Sequence, residues 1–443
     1  MGNIINIKNM RFYITTLLLI IFYQLNSQSV DFQEFDLDNG LHVILHKDNS
    51  APVVVTSVMY HIGAKDEDPD KTGFAHFFEH LLFEGTKNIE RGQWDIIVNS
   101  NGGRYNANTS PDRTYYYEVF PSNKLEIALW LESERMLHPK VSQLGIDTQN
   151  EVVKEEKRLS ENQPYGKLRE VISENLFKVH PYKGTVIGKM EHLDSATEED
   201  YKSFNKKYHI PNNAVLVVAG DIEIDKTLSL IKKYFDEIPR GNEVIRNFEK
   251  EEPITETKRV QAFDENIQIP AYVYAYRTPA QNQRDSWVLN MISTYLSDGE
   301  SSKLYKKIVD EKKMALAAQA ANAAMEDYGM YFVFCLPMGE NNMDDLAKEI
   351  DEEISLIQNE LIDEKDYQKI MNKLESQFVS SNSSFEGIAS SLATYYMLYG
   401  DINLINTQLD IYKSISREEI REVAKKYLSP NQRIEIEYLP KEK

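Results

Sequence analysis

The chain of 443 residues contains one sequence pattern twice, and this duplication limits the folds open to it. The run Lys-Lys-Tyr-His-Ile-Pro-Asn at 206–212 reappears as Lys-Lys-Tyr-Leu-Ser-Pro-Asn at 425–431, an offset of 219 positions. A strand-like run, Ala-Pro-Val-Val-Val at 51–55, resembles Ile-Pro-Ala-Tyr-Val at 269–273, an offset of 218 positions. Because two separate matches share nearly one register, the sequence indicates a duplicated domain.

Each half mixes segments with strand periodicity and segments with helix periodicity. The strand-like runs are 41–45, 53–60 and 115–120, and the helix-like runs are 125–137, 148–176, 344–362 and 364–381. We therefore expect an α+β fold of two homologous domains, each a mainly antiparallel sheet covered by helices on one face. The predicted domains are residues 30–245 and 259–443, joined by a charged, strand-poor linker at 246–258.

The first 29 residues have the order of a secretory signal peptide. Lys8 and Arg11 precede an apolar stretch at 12–25, and the small-x-small pattern Ser27-Gln28-Ser29 follows. The stretch is shorter than the roughly 20 residues that span a bilayer, which argues against a retained anchor. We expect an exported protein, in a bacterial periplasm or outside the cell, with no stable membrane insertion.

The charge of the chain excludes one class of partner. Its formal net charge of −20 would repel phosphate backbones, and no local basic patch offsets it, so we expect no nucleic acid partner. The one cysteine, Cys335, cannot form an intramolecular disulfide and lies in an apolar run that predicts a buried strand.

The strongest chemical signal is the run from Thr72 to Gly85, which contains His-x-x-Glu-His. Thr72 is suited to cap a helix start and Gly85 to end it. His76 and His80 are four residues apart, so they project from one helix face, with Glu79 near it. The neighbouring phenylalanines and leucines predict a buried helix, in which two imidazoles and a carboxylate need a partner such as zinc. The alternative is a pair of core histidines bonded to backbone.

A catalytic zinc normally has three protein ligands, so the third must come from elsewhere. The best segment is 149–159, where Gln149, Val152, Val153, Glu156 and Leu159 share one helical face. Because that face contains the apolar residues, it is predicted to point inward. Glu156 is therefore the inward carboxylate, and Glu155 is predicted to be a solvated helix charge.

These motifs carry a family resemblance. His76-x-x-Glu79-His80 is the inverted zinc motif of the inverzincins, and a distal Glu-Glu pair after Val-Val resembles the pitrilysin family of zinc peptidases. Further similar segments, in family order, are 101–109, His180-Pro181-Tyr182 with Gly188, and 208–221.

The resemblance implies a zinc-dependent endopeptidase acting on peptides or unfolded polypeptides, with one zinc ion per chain. It implies His76, His80 and Glu156 as zinc ligands and Glu79 as the general base. In relatives the substrate adds as a strand to a sheet edge, and the matching residues are Asn106 and Ala107. The first domain would then be catalytic and the second non-catalytic.

One departure from the family bears on assembly. Full enzymes of the family carry an Arg and a Tyr, seven residues apart, opposite the metal; the matching positions here are Val309 and Leu316. The chain thus resembles the zinc-bearing beta subunit of two-chain enzymes such as the mitochondrial processing peptidase. We expect a heterodimer with a homologous subunit that carries the Arg–Tyr pair, with a homodimer as the alternative.

Two other functions compete with this interpretation. Some family members are non-catalytic assembly subunits of larger complexes, but they have typically lost parts of the zinc motif, which this sequence keeps. A binding protein with a purely structural zinc normally uses four ligands and is usually rich in cysteine, whereas this chain has a single cysteine.

Overall fold

The computed structural model describes residues 29–441, so all of the predicted signal peptide except Ser29 lies outside the described residues. Two β-sheets divide the strands. The first sheet contains β1 (Gln33–Asp36), β2 (His42–Lys47), β3 (Val53–Tyr60), β4 (Arg104–Thr109), β5 (Thr114–Pro121) and β6 (Ala214–Gly220). The second contains β7 (Lys258–Asp264), β8 (Ala271–Pro279), β9 (Ala315–Ala324), β10 (Tyr328–Pro337) and β11 (Arg433–Pro440).

The two sheets have related strand orders. The first runs β1-β2-β6-β3-β5-β4 and the second runs β7-β11-β8-β10-β9. Each sheet has one parallel pair, β2 with β6 and β7 with β11, and its other neighbours are antiparallel. Strand β4 therefore forms an edge of the first sheet, and β9 forms the corresponding edge of the second.

Helices follow the strands in both halves. They are α1 (Phe74–Leu81), α2 (Gln93–Ser100), α3 (Leu125–Leu137), α4 (Gln143–Glu161), α5 (Leu168–Leu176), α6 (Met190–Ser195), α7 (Glu198–Tyr208), α8 (Ile224–Phe235), α9 (Arg284–Ser297), α10 (Met343–Asn359), α11 (Glu364–Ser381), α12 (Phe385–Thr394), α13 (Leu404–Ser414) and α14 (Arg417–Tyr427). A π-helical turn, Tyr305–Glu311, lies between α9 and β9. Among residues 29–441, no helix is both long and apolar enough to cross a lipid bilayer.

Both faces of each sheet are covered, because the halves exchange a helix. Val54 and Val58 of β3 join the core beneath α1 and α3. Val55 and Met59 point to the opposite face, where they join a core with Leu392 of α12, a helix of the second half. In the same way, α5 of the first half lies on the second sheet, in a core that it shares with β8 and β11.

The prediction of an α+β fold with two homologous halves is confirmed. The structure adds the exchanged helix on the second face of each sheet. It also divides the predicted helix at 148–176 into α4 and α5. Pro164 and Gly166 lie at the break, where Tyr165 adopts a positive φ of 63°.

A buried lysine joins the two halves near the tips of their hairpins. Lys65 Nζ lies 3.0 Å from Asp112 Oδ1 in the β4–β5 turn. It also lies 2.6 Å from Glu326 Oε2 and 2.8 Å from Asp327 Oδ2, both in the β9–β10 turn.

The stretch between Phe235 and Lys258 contains no helix or strand. We propose that the boundary between the two domains lies in this stretch, at the predicted linker 246–258.

Candidate metal centre

Helix α1 carries the His-x-x-Glu-His motif and is held at its start by a carboxylate. The helix begins at Phe74, and Glu67 accepts hydrogen bonds of 2.7 Å from the backbone N–H groups of Gly73 and Ala75. The prediction that Thr72 caps this helix is wrong, because its Oγ1 lies 2.8 Å from His192 Nδ1 instead. Glu67 thus satisfies the free N–H groups of the helix terminus.

A loop of the first half lies against the same helix start. Gly188 has a φ of 68°, and a Cβ there would lie 2.3 Å from the nitrogen of Gly73. Lys157 of α4 donates a hydrogen bond of 2.7 Å to the Gly188 carbonyl. Only glycine fits at 188, and this close approach ties α1, the loop and α4 together.

Three side chains converge where α1 meets α4. His76 Nε2 and His80 Nε2 are 3.4 Å apart, and Glu156 Oε2 lies 3.6 Å from the first and 3.4 Å from the second. A metal ion about 2.0–2.2 Å from three tetrahedral ligands holds them about 3.3–3.6 Å apart. The donor atoms therefore fit a zinc ion, and they form the one group of three such ligands within 4.8 Å among residues 29–441.

The protonation states in this group suit metal binding, which needs neutral imidazole and ionised carboxylate. Burial, together with the neighbouring His80, lowers the pKa of His76 to about 4, so its ring is neutral near pH 7. A hydrogen bond from His80 holds the pKa of Glu156 below its usual value. Among the described residues, the ion-pair partners of Glu156 are these two histidines, and no lysine or arginine pairs with it.

Helix α4 presents a narrower inward face than the sequence predicts. Val153 is fully buried, but Val152 and Leu159 are 44% and 57% exposed, so their predicted inward orientation is wrong. The buried residues of the helix are Gly145, Ile146 and Val153, and Glu156 is half exposed where α4 meets α1. Glu155 points elsewhere and pairs with Arg158 at 3.3 Å.

Glu79 lies on α1 outside the three-ligand group and contacts β4. Thr109 Oγ1, at the end of that strand, donates a hydrogen bond of 2.6 Å to Glu79 Oε2. Burial raises the pKa of the Glu79 carboxyl, and the Thr109 bond opposes that rise. The carboxylate is thereby fixed beside the metal-ligand group with its other oxygen free of side-chain partners among the described residues.

The predicted substrate residues lie in the middle of β4. Asn106 is exposed, and its Oδ1 accepts a hydrogen bond of 2.9 Å from the Ala107 N–H. That N–H therefore points away from β5, toward the open edge of the sheet. A strand added to this edge would run past Thr109 and reach Glu79.

The second half has a corresponding place with different residues. At the offset of 218 that relates β3 to β8, the positions of His76, Glu79 and His80 fall on Thr294, Ser297 and Asp298. Counted from the starts of α4 and α11, Glu156 corresponds to Gln377. There Lys373 Nζ lies 2.9 Å from Asp298 Oδ1, so the Asp298 carboxylate is paired with a lysine of the same half.

Sequence reasoning missed Glu67 and Thr109. Thr109 could have been found, because in β4 it shares the face of Tyr105 and Ala107 at the period of a strand. Glu67 left no local signal, since a loop brings it back to the helix start from outside the usual capping positions.

Models of one peptidase family match both halves of the chain. The model described as "Insulinase (Peptidase family M16)" matches residues 42–189, and "Peptidase M16 inactive domain" matches residues 195–374. The chain belongs to the M16 peptidase family. The whole ligand group, His76, His80 and Glu156, falls in the first of these M16 matches.

One named relative and two solved structures illustrate what this chain is similar to. The zinc protease PqqE of Helicobacter pylori is 28% identical over 400 residues, covering 89% of this chain and 90% of that one. The crystal structure of a protease from Helicobacter pylori has a TM-score of 0.86 and 27% identity, covering 92% of this chain and 99% of that one. The structure of the periplasmic protease PqqL from Escherichia coli has a TM-score of 0.77 at 18% identity, and the match covers 93% of this chain and 48% of that one. At this identity the similarity shows the fold alone.

Proposed function

We propose that the protein is a zinc-dependent endopeptidase that hydrolyses peptides or unfolded polypeptides. The observation that carries this proposal is the convergence of His76, His80 and Glu156, with Glu79 fixed beside them by the substrate-edge residue Thr109. Membership in the M16 family and a relative named as a zinc protease support it.

The residues of the site divide the chemical work. His76, His80 and Glu156 would hold the zinc ion. When bound, zinc would polarise a peptide carbonyl as a Lewis acid and lower the pKa of bound water to about 7. Glu79 accepts the proton of the attacking water and returns it to the leaving amine. Its raised pKa brings the carboxyl nearer to the working pH, which helps both transfers.

The open edge of β4 supports a substrate in extended conformation. Main-chain groups at Ala107 can bond to any peptide backbone, so affinity depends little on side chains. An unfolded chain can adopt this conformation and a folded one cannot. We therefore assign Asn106 and Ala107 to substrate binding.

We further propose one zinc ion per chain. The corresponding place in the second half has Thr294, Asp298 and Gln377, and the nearby Lys373 already pairs with Asp298. A threonine and an amide are poor zinc ligands compared with histidine. The second half would then be non-catalytic.

A cleavage profile tests the central proposal. The purified chain, alone and with a homologous partner, is incubated with a mixture of unfolded peptides, with and without a chelator. We expect internal cleavage that the chelator abolishes and added zinc restores. Cleavage that survives complete metal removal would contradict the mechanism.

We also propose that this chain is the zinc-bearing subunit of a heterodimer. At the positions where relatives carry Arg and Tyr, Val309 is in the π-helical turn and Leu316 is 48% exposed on β9. Neither side chain can bind an oxyanion, so a homologous chain would supply the pair; a homodimer is the alternative. Full activity of the chain alone, with no gain on adding the partner, would reject the heterodimer.

Export is a further part of the proposal. The mature chain would begin near Ser29 or Val30 and work outside the cytoplasm, in a periplasm or beyond. The side chain of Asn406 in α13 makes two hydrogen bonds to the backbone of Val30: it accepts one from the N–H at 2.8 Å and donates one to the carbonyl at 3.1 Å. Sequencing of the N-terminus of protein from the periplasmic fraction tests this, and soluble cytoplasmic protein that begins at Met1 would contradict it.

A non-catalytic assembly subunit is the alternative function. The match to a model described as an inactive domain favours it, but that match covers residues 195–374 and excludes the ligand group. A zinc-loaded complex that cleaves no peptide would support the alternative.

A further inference from the structure

A groove crosses the face of the first sheet that the second half covers. Its volume is about 1140 Å³, and its floor is one cross-strand row: Arg104 on β4, Val119 on β5, Val55 on β3 and His46 on β2. These residues are register neighbours, with Ala219 of β6 completing the row. The groove therefore runs inward from the open edge strand of the sheet.

The wall of the groove comes mainly from the second half and mixes apolar with polar residues. Phe378 and Val379, at the end of α11, and Phe385, at the start of α12, line it. Val379 is 60% exposed, although it faces a cavity between two domains. At the β4 end, Arg104 pairs with Glu386 at 2.6 Å, and because Arg104 is 64% exposed the pair contributes little stability.

His46 leaves an unmet acceptor in the floor. Its ring is 6% exposed, and Nδ1 lies 2.7 Å from the Asp31 carbonyl oxygen, so Nδ1 carries the proton. Nε2 is then an acceptor, and it has no hydrogen-bond partner among residues 29–441. Because Nε2 is itself buried, an occupant would contact the groove mainly through apolar side chains, which match Phe378, Val379 and Phe385 in the wall.

The groove is continuous with the edge where the substrate is proposed to bind. Side chains opposite each other on neighbouring strands project from one face, so a peptide residue added opposite Arg104 points toward the groove mouth. Thr109, which contacts Glu79, lies five residues along the same strand, about 17 Å away. The part of a peptide at the groove is thus about five residues from the bond that is cut.

We propose that this groove is a second substrate-binding site, which takes an apolar segment of an unfolded polypeptide about five residues from the scissile bond. This inference rests on the proposed peptidase function. It means that the enzyme selects substrates by an apolar segment at a fixed distance, while the sequence at the cleaved bond varies. Burial of one or two large side chains accounts for the selection.

Three peptides with the same cleaved segment test the distance rule. One is short, one has a six-residue apolar extension and one has a Gly-Ser extension of equal length, with each extension placed at either end in turn. We expect the apolar extension, at one end, to raise kcat/KM about tenfold or more over the Gly-Ser extension, mainly through KM. Equal kcat/KM values for the two extended peptides at both ends would overturn the proposal.

A matched pair of variants locates the effect. In Val379→Asp a charge enters the groove wall, so the ratio of kcat/KM between the apolar and Gly-Ser peptides should fall toward one. Leu356→Asp makes the same change at a site 46% exposed on α10, outside the groove, and should keep the wild-type ratio. A ratio that survives in Val379→Asp, or falls equally in both variants, would overturn the assignment.

Binding without turnover separates this inference from the proposed function. The apolar peptide, carrying a photo-crosslinking phenylalanine in its extension, is mixed with Glu79→Gln protein and irradiated. We expect cross-links within 375–388, and fewer in Val379→Asp. Cross-links outside 375–388 would overturn the groove site. Occupation of the groove by residues before Ser29, which would block these cross-links, would overturn it as well. Failure of every peptide to be cleaved by wild-type protein, with these cross-links present, would count against the peptidase function alone.

Discussion

At the scale of single residues, a neutral substitution should have different effects at Glu79 and at the three candidate ligands His76, His80 and Glu156. Glutamine at 79 can still accept the hydrogen bond from Thr109, but it cannot take a proton from water. We expect Glu79→Gln to keep its zinc and to lose about 10²–10⁴-fold in turnover. His76→Ala and His80→Ala should lose the metal as well. Elemental analysis and peptide cleavage measure both, and near-normal turnover in Glu79→Gln would disprove the assigned role.

The two adjacent glutamates of α4 provide a matched pair. Glu156 Oε2 lies 3.4 Å from His80 Nε2, whereas Glu155 pairs with Arg158 in solvent. Glu156→Gln should therefore weaken zinc binding strongly, and Glu155→Gln should leave it almost unchanged. A zinc titration against a competing chelator compares them. Metal depletion in the Glu155 variant alone would reverse the assignment.

His209 makes stability depend on pH. It is buried beside Tyr60 and Phe78, and neither ring nitrogen has a partner among the described residues. Burial lowers the pKa of His209 to about 3 from an ordinary value of 6.5. Between these values the unfolded chain binds the additional proton, so this stability is complete above pH 6.5 and is lost as the pH falls toward 3.

Replacement of this ring tests the pH dependence. In His209→Phe, the loss of unfolding free energy between pH 7 and pH 4 should be smaller by about 2–4 kcal/mol. Urea unfolding at the two pH values measures it. His138→Phe, at a half-buried position, is the control. An equal acid sensitivity in wild type and His209→Phe would show that other groups control the effect.

The structure brings together the three residues that the sequence indicated as metal ligands, but it corrects the surroundings predicted for them. His76 and His80 follow from helical spacing within one segment, and the structure brings Glu156 to them. The sequence predicts more buried positions on α4 than the structure has, because apolar Val152 and Leu159 are exposed. Periodicity identifies a common face, but the extent of burial depends on elements that are distant in sequence.

At the scale of elements, β4 combines an open edge with a direct contact to helix α1, in which Thr109 bonds to Glu79. Ala107→Pro removes the N–H that points away from β5 and leaves the hydrogen bonds to β5 in place. We expect the fold and the bound zinc to be retained, and kcat/KM for peptides to fall at least tenfold.

Circular dichroism, zinc content and peptide cleavage, measured together, check this prediction. Asn106→Pro is the comparison for damage to the strand: it removes an N–H on the side that faces β5, so it should weaken the fold, which Ala107→Pro should not. Unchanged cleavage by a folded Ala107→Pro protein would mean that the substrate does not use this edge.

Some element boundaries were predictable and some were not. The predicted segments 53–60, 125–137 and 364–381 coincide with β3, α3 and α11. The break between α4 and α5 was missed although Pro164 and Gly166 mark it. The partners of α5 and α12 could not be predicted, since an apolar helix face does not specify which sheet it will cover.

At the scale of the whole molecule, the exchange of α5 and α12 makes the two halves depend on each other. Without α12, the first sheet would expose Val55, Met59 and Val217 to water. We expect residues 30–245, expressed alone, to aggregate or to bind a hydrophobic dye, and co-expression of residues 246–443 to restore a soluble complex.

Size-exclusion chromatography and dye fluorescence compare this fragment with the intact chain. A monomeric, cooperatively folding fragment that does not bind the dye would contradict the mutual dependence.

Strand β11 determines when this architecture can form. It lies between β7 and β8, so the second sheet stays split until residues 433–440 have emerged from the ribosome. Until then α5 has no completed surface to cover, and α12 also comes late in synthesis. Folding is therefore delayed by contacts that are distant in sequence. Under the export proposed above, this late strand would keep the second sheet incomplete while the chain passes through a secretion channel.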